Sequence, residues 1–162
     1  YATNILESAA SSSDVTFNKA SGEQIIDSVI GASGTAINNI NISASGGVNL
    51  KQNGFIDHIT LNQESATIKL GNNATLDLSG NVSLGTGISN IATIKADSNG
   101  TNSKLNLSGL SQIINANIGT ATTNEKLSVI SLGNRLTSLN FNGNVYLNNG
   151  NISGTTLWSK KF

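Results

Sequence analysis

The side chains able to do chemistry are few and far apart. The chain has one histidine, His58, nine carboxylates and no cysteine, so a Ser-His-Asp arrangement would have to use His58. Asp57 adjoins it, but neighbours on a strand point to opposite faces, so the spacing predicts no orienting bond between them. His58 is expected as an exposed or turn histidine. Polysaccharide cleavage needs paired carboxylates, or acidic metal ligands with a basic partner. None of the nine acids is adjacent to another and none has Asp-x-Asp spacing. Asp57, Asp77 and Asp97 are spaced by twenty, and coils of that length would align them as a column. An uncompensated carboxylate ladder at under about 5 Å would repel itself. Calcium would relieve that, yet the glycine-aspartate nonapeptide of calcium-binding β-rolls is absent. The reading is a set of solvated carboxylates, with no catalytic residue, metal ligand or cofactor site.

Other motifs fail on spacing or frequency. Gly85-Thr86-Gly87 lacks the spacing and following helix of a dinucleotide fingerprint. Asn-x-Ser/Thr occurs six times, and chance at this composition gives about six, so it carries no glycosylation signal. Tyr146 should face outward if Val145 and Leu147 face in, and Trp158 lies among Thr155, Thr156 and Lys160. An exposed aromatic among hydroxyls can stack on a sugar or anchor a protein contact, which makes Tyr146 and Trp158 the candidate contact residues.

The elements that would position these groups follow from composition. The chain of 162 residues holds 25 Asn, 22 Ser, 17 Gly and 15 Thr, nearly half its length. Charged residues are 11% and balance to a net charge of zero, which argues against a nucleic-acid surface and against charge-driven disorder. Ile, Leu and Val supply 40 aliphatic side chains, enough for one core. Proline is absent, as expected where almost every backbone amide enters a sheet ladder. Without cysteine there is no disulfide and no thiolate chemistry. Methionine is also absent, even at position 1, so the sequence reads as a processed or excised segment.

Apolar-polar-apolar triplets recur: Ile40-Asn41-Ile42, Val48-Asn49-Leu50, Ile59-Thr60-Leu61, Ile68-Lys69-Leu70, Leu76-Asp77-Leu78, Val82-Ser83-Leu84, Leu105-Asn106-Leu107, Leu139-Asn140-Phe141 and Val145-Tyr146-Leu147. Each is a short strand with one apolar face, separated by Asn/Gly/Ser punctuation that tolerates positive φ. Residues 76–84 echo at 139–147, offset by 63, and 68–72 echo at 130–134, offset by 62. Three turns of about 21 residues would give seven or eight coils and a rod about 35 Å long. The fold expected is all-β, a right-handed parallel β-helix. Asn81 and Asn144 would be equivalent turn positions, and turn asparagines would form amide ladders. Ser21-Gly22-Glu23-Gln24 has capping-box spacing before Ile25, Ile26, Val29 and Ile30, predicting a short helix over 22–30, with two short buried strands as the alternative.

With its Asn/Ser/Thr/Gly-rich coils of Gly-Asn-Val-x-Leu type and its lack of cysteine, the sequence resembles the passenger regions of bacterial autotransporter surface proteins. Its flavour is that of the Asn-rich surface cell antigens of Rickettsia-like bacteria, over most of residues 36–158. The resemblance implies export, threading through the outer membrane and folding on the bacterial cell surface as an adhesive stalk. The only membrane association implied is through a C-terminal barrel absent from this chain. On this reading residues 1–162 are one solenoid segment, with 1–35 a cap or irregular part and 36–158 the coils. It is not an enzyme, and its partners are a host-cell surface protein or glycan, or itself, with no nucleic acid. The alternatives are a β-helical carbohydrate-active enzyme or carbohydrate-binding module, and a self-assembling fibre unit.

Overall fold

A triplet with two inward aliphatic side chains and one outward polar one can bury its apolar face only by stacking on another, and the chain does this repeatedly. The computed structural model describes residues 4–6, 12–98, 102–150 and 152–154. It is a parallel β-solenoid of about six turns. Eight of the nine triplets lie within strands, and Val145 and Leu147 instead make isolated parallel bridges to Ile118 and Leu127.

Three faces alternate along the chain. The first is built from the N-terminal half of β5 (Gly54–Leu61), then β7 (Thr75–Leu78), β10 (Lys104–Leu107), β13 (Val129–Leu132) and β15 (Ile152–Gly154). The second runs through β1 (Asp14–Phe17), β3 (Ile37–Ile42), the C-terminal half of β5, β8 (Val82–Leu84), β11 (Ser111–Ile114) and β14 (Ser138–Phe141). The third comprises β2 (Gln24–Ile26), β4 (Val48–Leu50), β6 (Thr67–Leu70), β9 (Ala92–Ala96) and β12 (Ala116–Ile118). Every strand pairing is parallel and in register: Ile30, Gly54, Leu76, Leu105 and Ile130 form one inward column. Val15, Ile40, Ile59, Val82, Ile114 and Phe141 form a second, and Val48, Ile68, Ile94 and Ile118 belong to a third. Like stacks on like, and most of these side chains are fully buried, each stabilising the stack by about 1.5–3 kcal/mol.

The pairing corrects three expectations. The helix over 22–30 is absent: Gln24–Ile26 is β2, in register with β4, and Ile30 bridges Ile5 and Gly54. The β-branched run finds partner edges there, and a strand's ladder and burial outweigh the capping box. The 63-residue echo is not a structural period either. Leu76 stacks on Leu105 and Ile130, whereas Leu139 lies opposite Gln112 on the second face. Likewise Ile68 belongs to the third face and Ile130 to the first. All three faces demand the same apolar-x-apolar strand and polar turn, so similar segments recur on different faces. Coil length is not constant: Ile40 and Ile59 are 19 residues apart, Leu76 and Leu105 are 29 and Val82 and Ile114 are 32, so most coils are longer than 21 residues and fewer fit. The Asn81 and Asn144 positions are inequivalent for the same reason, since Val82 lies on the second face and Val145 bridges Ile118 of the third.

Asparagine does join coil to coil. Asn142 Nδ2 donates to Asn115 Oδ1 at 2.6 Å and Asn102 Nδ2 to Asn73 Oδ1 at 3.1 Å. The Oδ1 atoms of Asn53, Asn81 and Asn117 accept from the backbone N–H of Thr75, Ile113 and Asn144 in the following coil. Such bonds satisfy turn amides that have no ladder partner.

Candidate functional site

The corner between the first and second faces changes length along the stack, and this shapes the surface. Between stacked inward residues it holds two residues at 38–39 and 57–58, three at 79–81, six at 108–113 and eight at 133–140. Below it, residues 31–36 make an excursion between Ile30 and Ile37, where the next coil has the single residue Phe55 between Gly54 and Ile56. That excursion is closed by paired backbone bonds between Ala32 and Thr35, at 3.1 and 3.0 Å. Two adjoining concavities, sharing Asp57 and Ser79, lie between the 31–36 excursion and the widened 108–113 corner. The one beside Phe55 has a volume of about 360 Å³.

Asp57 and His58 both point outward here, because β5 bends and its inward residues, Ile56 and Ile59, are three apart. This corrects the expectation that they face opposite sides. They still do not join. Asp57 Oδ1 accepts from Ser79 Oγ, while His58 Nδ1 accepts from the Asn81 N–H at 3.1 Å. The ring proton then sits on Nε2, leaving it as a donor. Gly80 makes this possible, since a Cβ there would lie 2.4 Å from His58 Cε1. Asp77 accepts from Ser108 Oγ and Asn106 Nδ2, both at 2.6 Å. Each carboxylate thus takes hydroxyl or amide donors from the coil above. Gln112, fully buried, pins the upper wall: its Nε2 donates to Leu78 O at 2.9 Å and Gly80 O at 2.7 Å, and its Oε1 accepts from Gly109 N–H at 3.2 Å.

Asp57, Asp77 and Asp97 form no column, as the reading of separate carboxylates expects. Asp57 and Asp77 flank the groove, but Asp97 follows β9 on the third face. There it belongs to a band of charge that triplet reading missed. Lys51 pairs with Asp97, Lys69 Nζ with Glu23 at 2.5 Å, and Lys95 with Glu125. Asn49, 2% exposed, donates to Glu23 Oε1 at 2.9 Å and Asp97 Oδ2 at 3.1 Å. Its Oδ1 has no partner among the described residues; turning the amide over would aim that oxygen at two carboxylates. The Lys51 ammonium holds the Asp97 carboxyl down at about 2 against the effect of burial. Lys95 and Thr120 lower Glu125. Burial pushes Glu23 up, but bonds from Lys69 and Asn49 outweigh it. Glu64 is lowered by the backbone N–H groups of Ser89 and Asn90, each at 2.8 Å.

Of the candidate contact residues, Tyr146 is 37% exposed, as is Val145 beside it. Trp158 lies outside the described residues. Among the described residues no three of His, Asp and Glu come together in the manner of a metal site. Compared with family models, curated proteins and solved structures, the chain matches none.

Proposed function

We propose that this chain is a non-enzymatic stalk segment displayed on a bacterial surface, where it makes adhesive contacts with a host-cell surface. The observation that carries this reading is the use of outward polar groups as coil-to-coil fasteners. Asp57 is engaged by Ser79, Asp77 by Ser108 and Asn106, and His58 Nδ1 by the Asn81 amide. A general acid or base needs a partner that tunes it as well as an atom within reach of substrate; both Asp77 oxygens are tied into the stack, and Asp57 and His58, each held to the next coil through one atom, make no bond to each other. A repetitive solenoid provides extended area for contact, and the amide and hydroxyl groups that dominate its outward positions suit reversible polar recognition.

The test is adhesion by the chain itself. Beads coated with residues 1–162 should bind a host-cell monolayer several-fold above beads coated with an inert protein. Binding at background, or release of reducing ends from polysaccharide by the purified chain, would contradict the reading. A second reading, a carbohydrate-binding module, draws on the groove between the 31–36 and 108–113 excursions.

A further inference from the structure

We infer that this groove binds a neutral or amino-substituted oligosaccharide, and excludes sugars bearing carboxylates. The inference rests on the non-enzymatic contact reading above and supplies its ligand class. Four coils contribute to the groove, so at about 4.8 Å per stacked strand it runs about 14 Å. Its floor combines what a sugar chain requires. Phe55 is an outward-facing aromatic in register with Asp77, Asn106 and Ser131, and it lines the groove beside Asp57 and Asp77. An aromatic face takes the apolar C–H face of a sugar ring, and carboxylates accept strongly from hydroxyls. Asp57 Oδ2 has no hydrogen bond within the described chain, and His58 offers Nε2–H along the same floor. Ser111 and Leu110, the latter 55% exposed, form the far wall.

Charge decides the class. Among the described residues no lysine or arginine lines either concavity, while three lysines are paired on the third face. Two carboxylates without a cation repel a uronic or sialic acid and favour hydroxyl or ammonium donors. The groove is also rigid. Gln112 and the two close approaches at Gly80 and Gly109 hold its walls to the coils beneath, so little ordering is needed on binding.

The experiment is a titration of the 15N-labelled chain with cellohexaose, maltohexaose and chitosan hexamer, against hexagalacturonate. At least one of the first three should shift the amides of Asp57, Ser79, Gly80 and Ser111 saturably, with no response to hexagalacturonate. Phe55→Ala and the double change Asp57→Asn, Asp77→Asn should each raise Kd about tenfold, and Lys95→Ala on the third face should leave it unchanged. In the Asn variants Oδ1 still accepts from Ser79 and Ser108, and Asn106 must turn its amide over to accept from the new Nδ2, so amide shifts confined to the neighbourhood of the substitutions verify their fold. Absence of any shift with all three sugars, equal response to hexagalacturonate, or shifts confined to the third face would overturn the inference. Bead adhesion that survives Phe55→Ala, with no sugar response, would sink the groove and leave the adhesive reading standing. Sugar binding without bead adhesion would do the reverse.

Discussion

Lys51 and Asp97 form an ion pair although a whole coil lies between them. Leu50, Leu70 and Ala96 are stacked in register, so Lys51, Gly71 and Asp97 follow one another at the same corner. Gly71 carries no side chain, and the Lys51 ammonium reaches past it. The backbone stays continuous through the same corner, Gly71 N–H donating to Leu50 O and Asp97 N–H to Leu70 O, both at 2.8 Å.

This pairing predicts acid sensitivity. A carboxylate whose folded pKa is depressed stabilises the fold above its unfolded pKa and ceases to as pH falls through the folded value. Asp97 is lowered to about 2, and Glu23 and Glu125 are lowered too. Stability should therefore decline between about pH 5 and pH 2, with Asp97 contributing about 1 kcal/mol once solvent screening is allowed for. Asp97→Asn should be less stable than the parent at pH 7 and nearly equal to it at pH 2. Urea unfolding at the two pH values checks this, and an equal deficit at both would count against it.

Gly71 should be intolerant of a side chain for the same reason. A Cβ there would lie 3.0 Å from Lys51 Cα and 3.2 Å from Lys51 O, so Gly71→Val should cost about 1–3 kcal/mol and weaken the acid dependence. A variant whose pH profile still matches the parent would show that the pair does not depend on the gap.

The groove wall makes a sharper comparison. In Gly109→Ala the new methyl would sit 1.9 Å from the Ser79 carbonyl oxygen, and the backbone must move, at about 1–3 kcal/mol. In Gly34→Ala nothing lies within 4 Å and only the positive φ of 88° is strained, at about 1 kcal/mol. Thermal melts should rank Gly109→Ala well below Gly34→Ala. Equal melting temperatures would mean that the 108–113 corner is not seated on Ser79.

Core truncations should differ along the stack. Leu105 is fully buried between Leu76 and Ile130, so Leu105→Ala should cost about 2–5 kcal/mol. Leu139, half-buried on the last described coils, should cost under about 1 kcal/mol when truncated. Denaturant midpoints decide, and similar losses would contradict the packing.

The short strands and their inward residues were legible because period-2 patterning is local: Ile59, Leu61, Ile68 and Leu70 are inward as the triplets predict. Which strand stacks on which was not legible, since the three faces share one pattern and turn lengths vary from two residues to eight. The site suffered most from this. Asp57 and His58 share a side only because β5 bends at a corner, and Asp77 and Ser108 meet only through the register of β7 with β10. The charged band was missed because Lys51, Lys69 and Lys95 are far apart in sequence and their partners lie outside the triplets.

Register is the premise on which the groove, the ion pair and the packing all rest, and hydrogen-bond scalar couplings measure it directly in a labelled sample. The stack predicts couplings from Lys104 N to the Ala74 carbonyl carbon, Ser128 N to that of Ser103, and Ser79 N to that of Ile56, matching bonds of 3.0, 2.9 and 3.1 Å. Partners displaced to a uniform spacing of about 21 residues would restore the simple repeat and contradict the account.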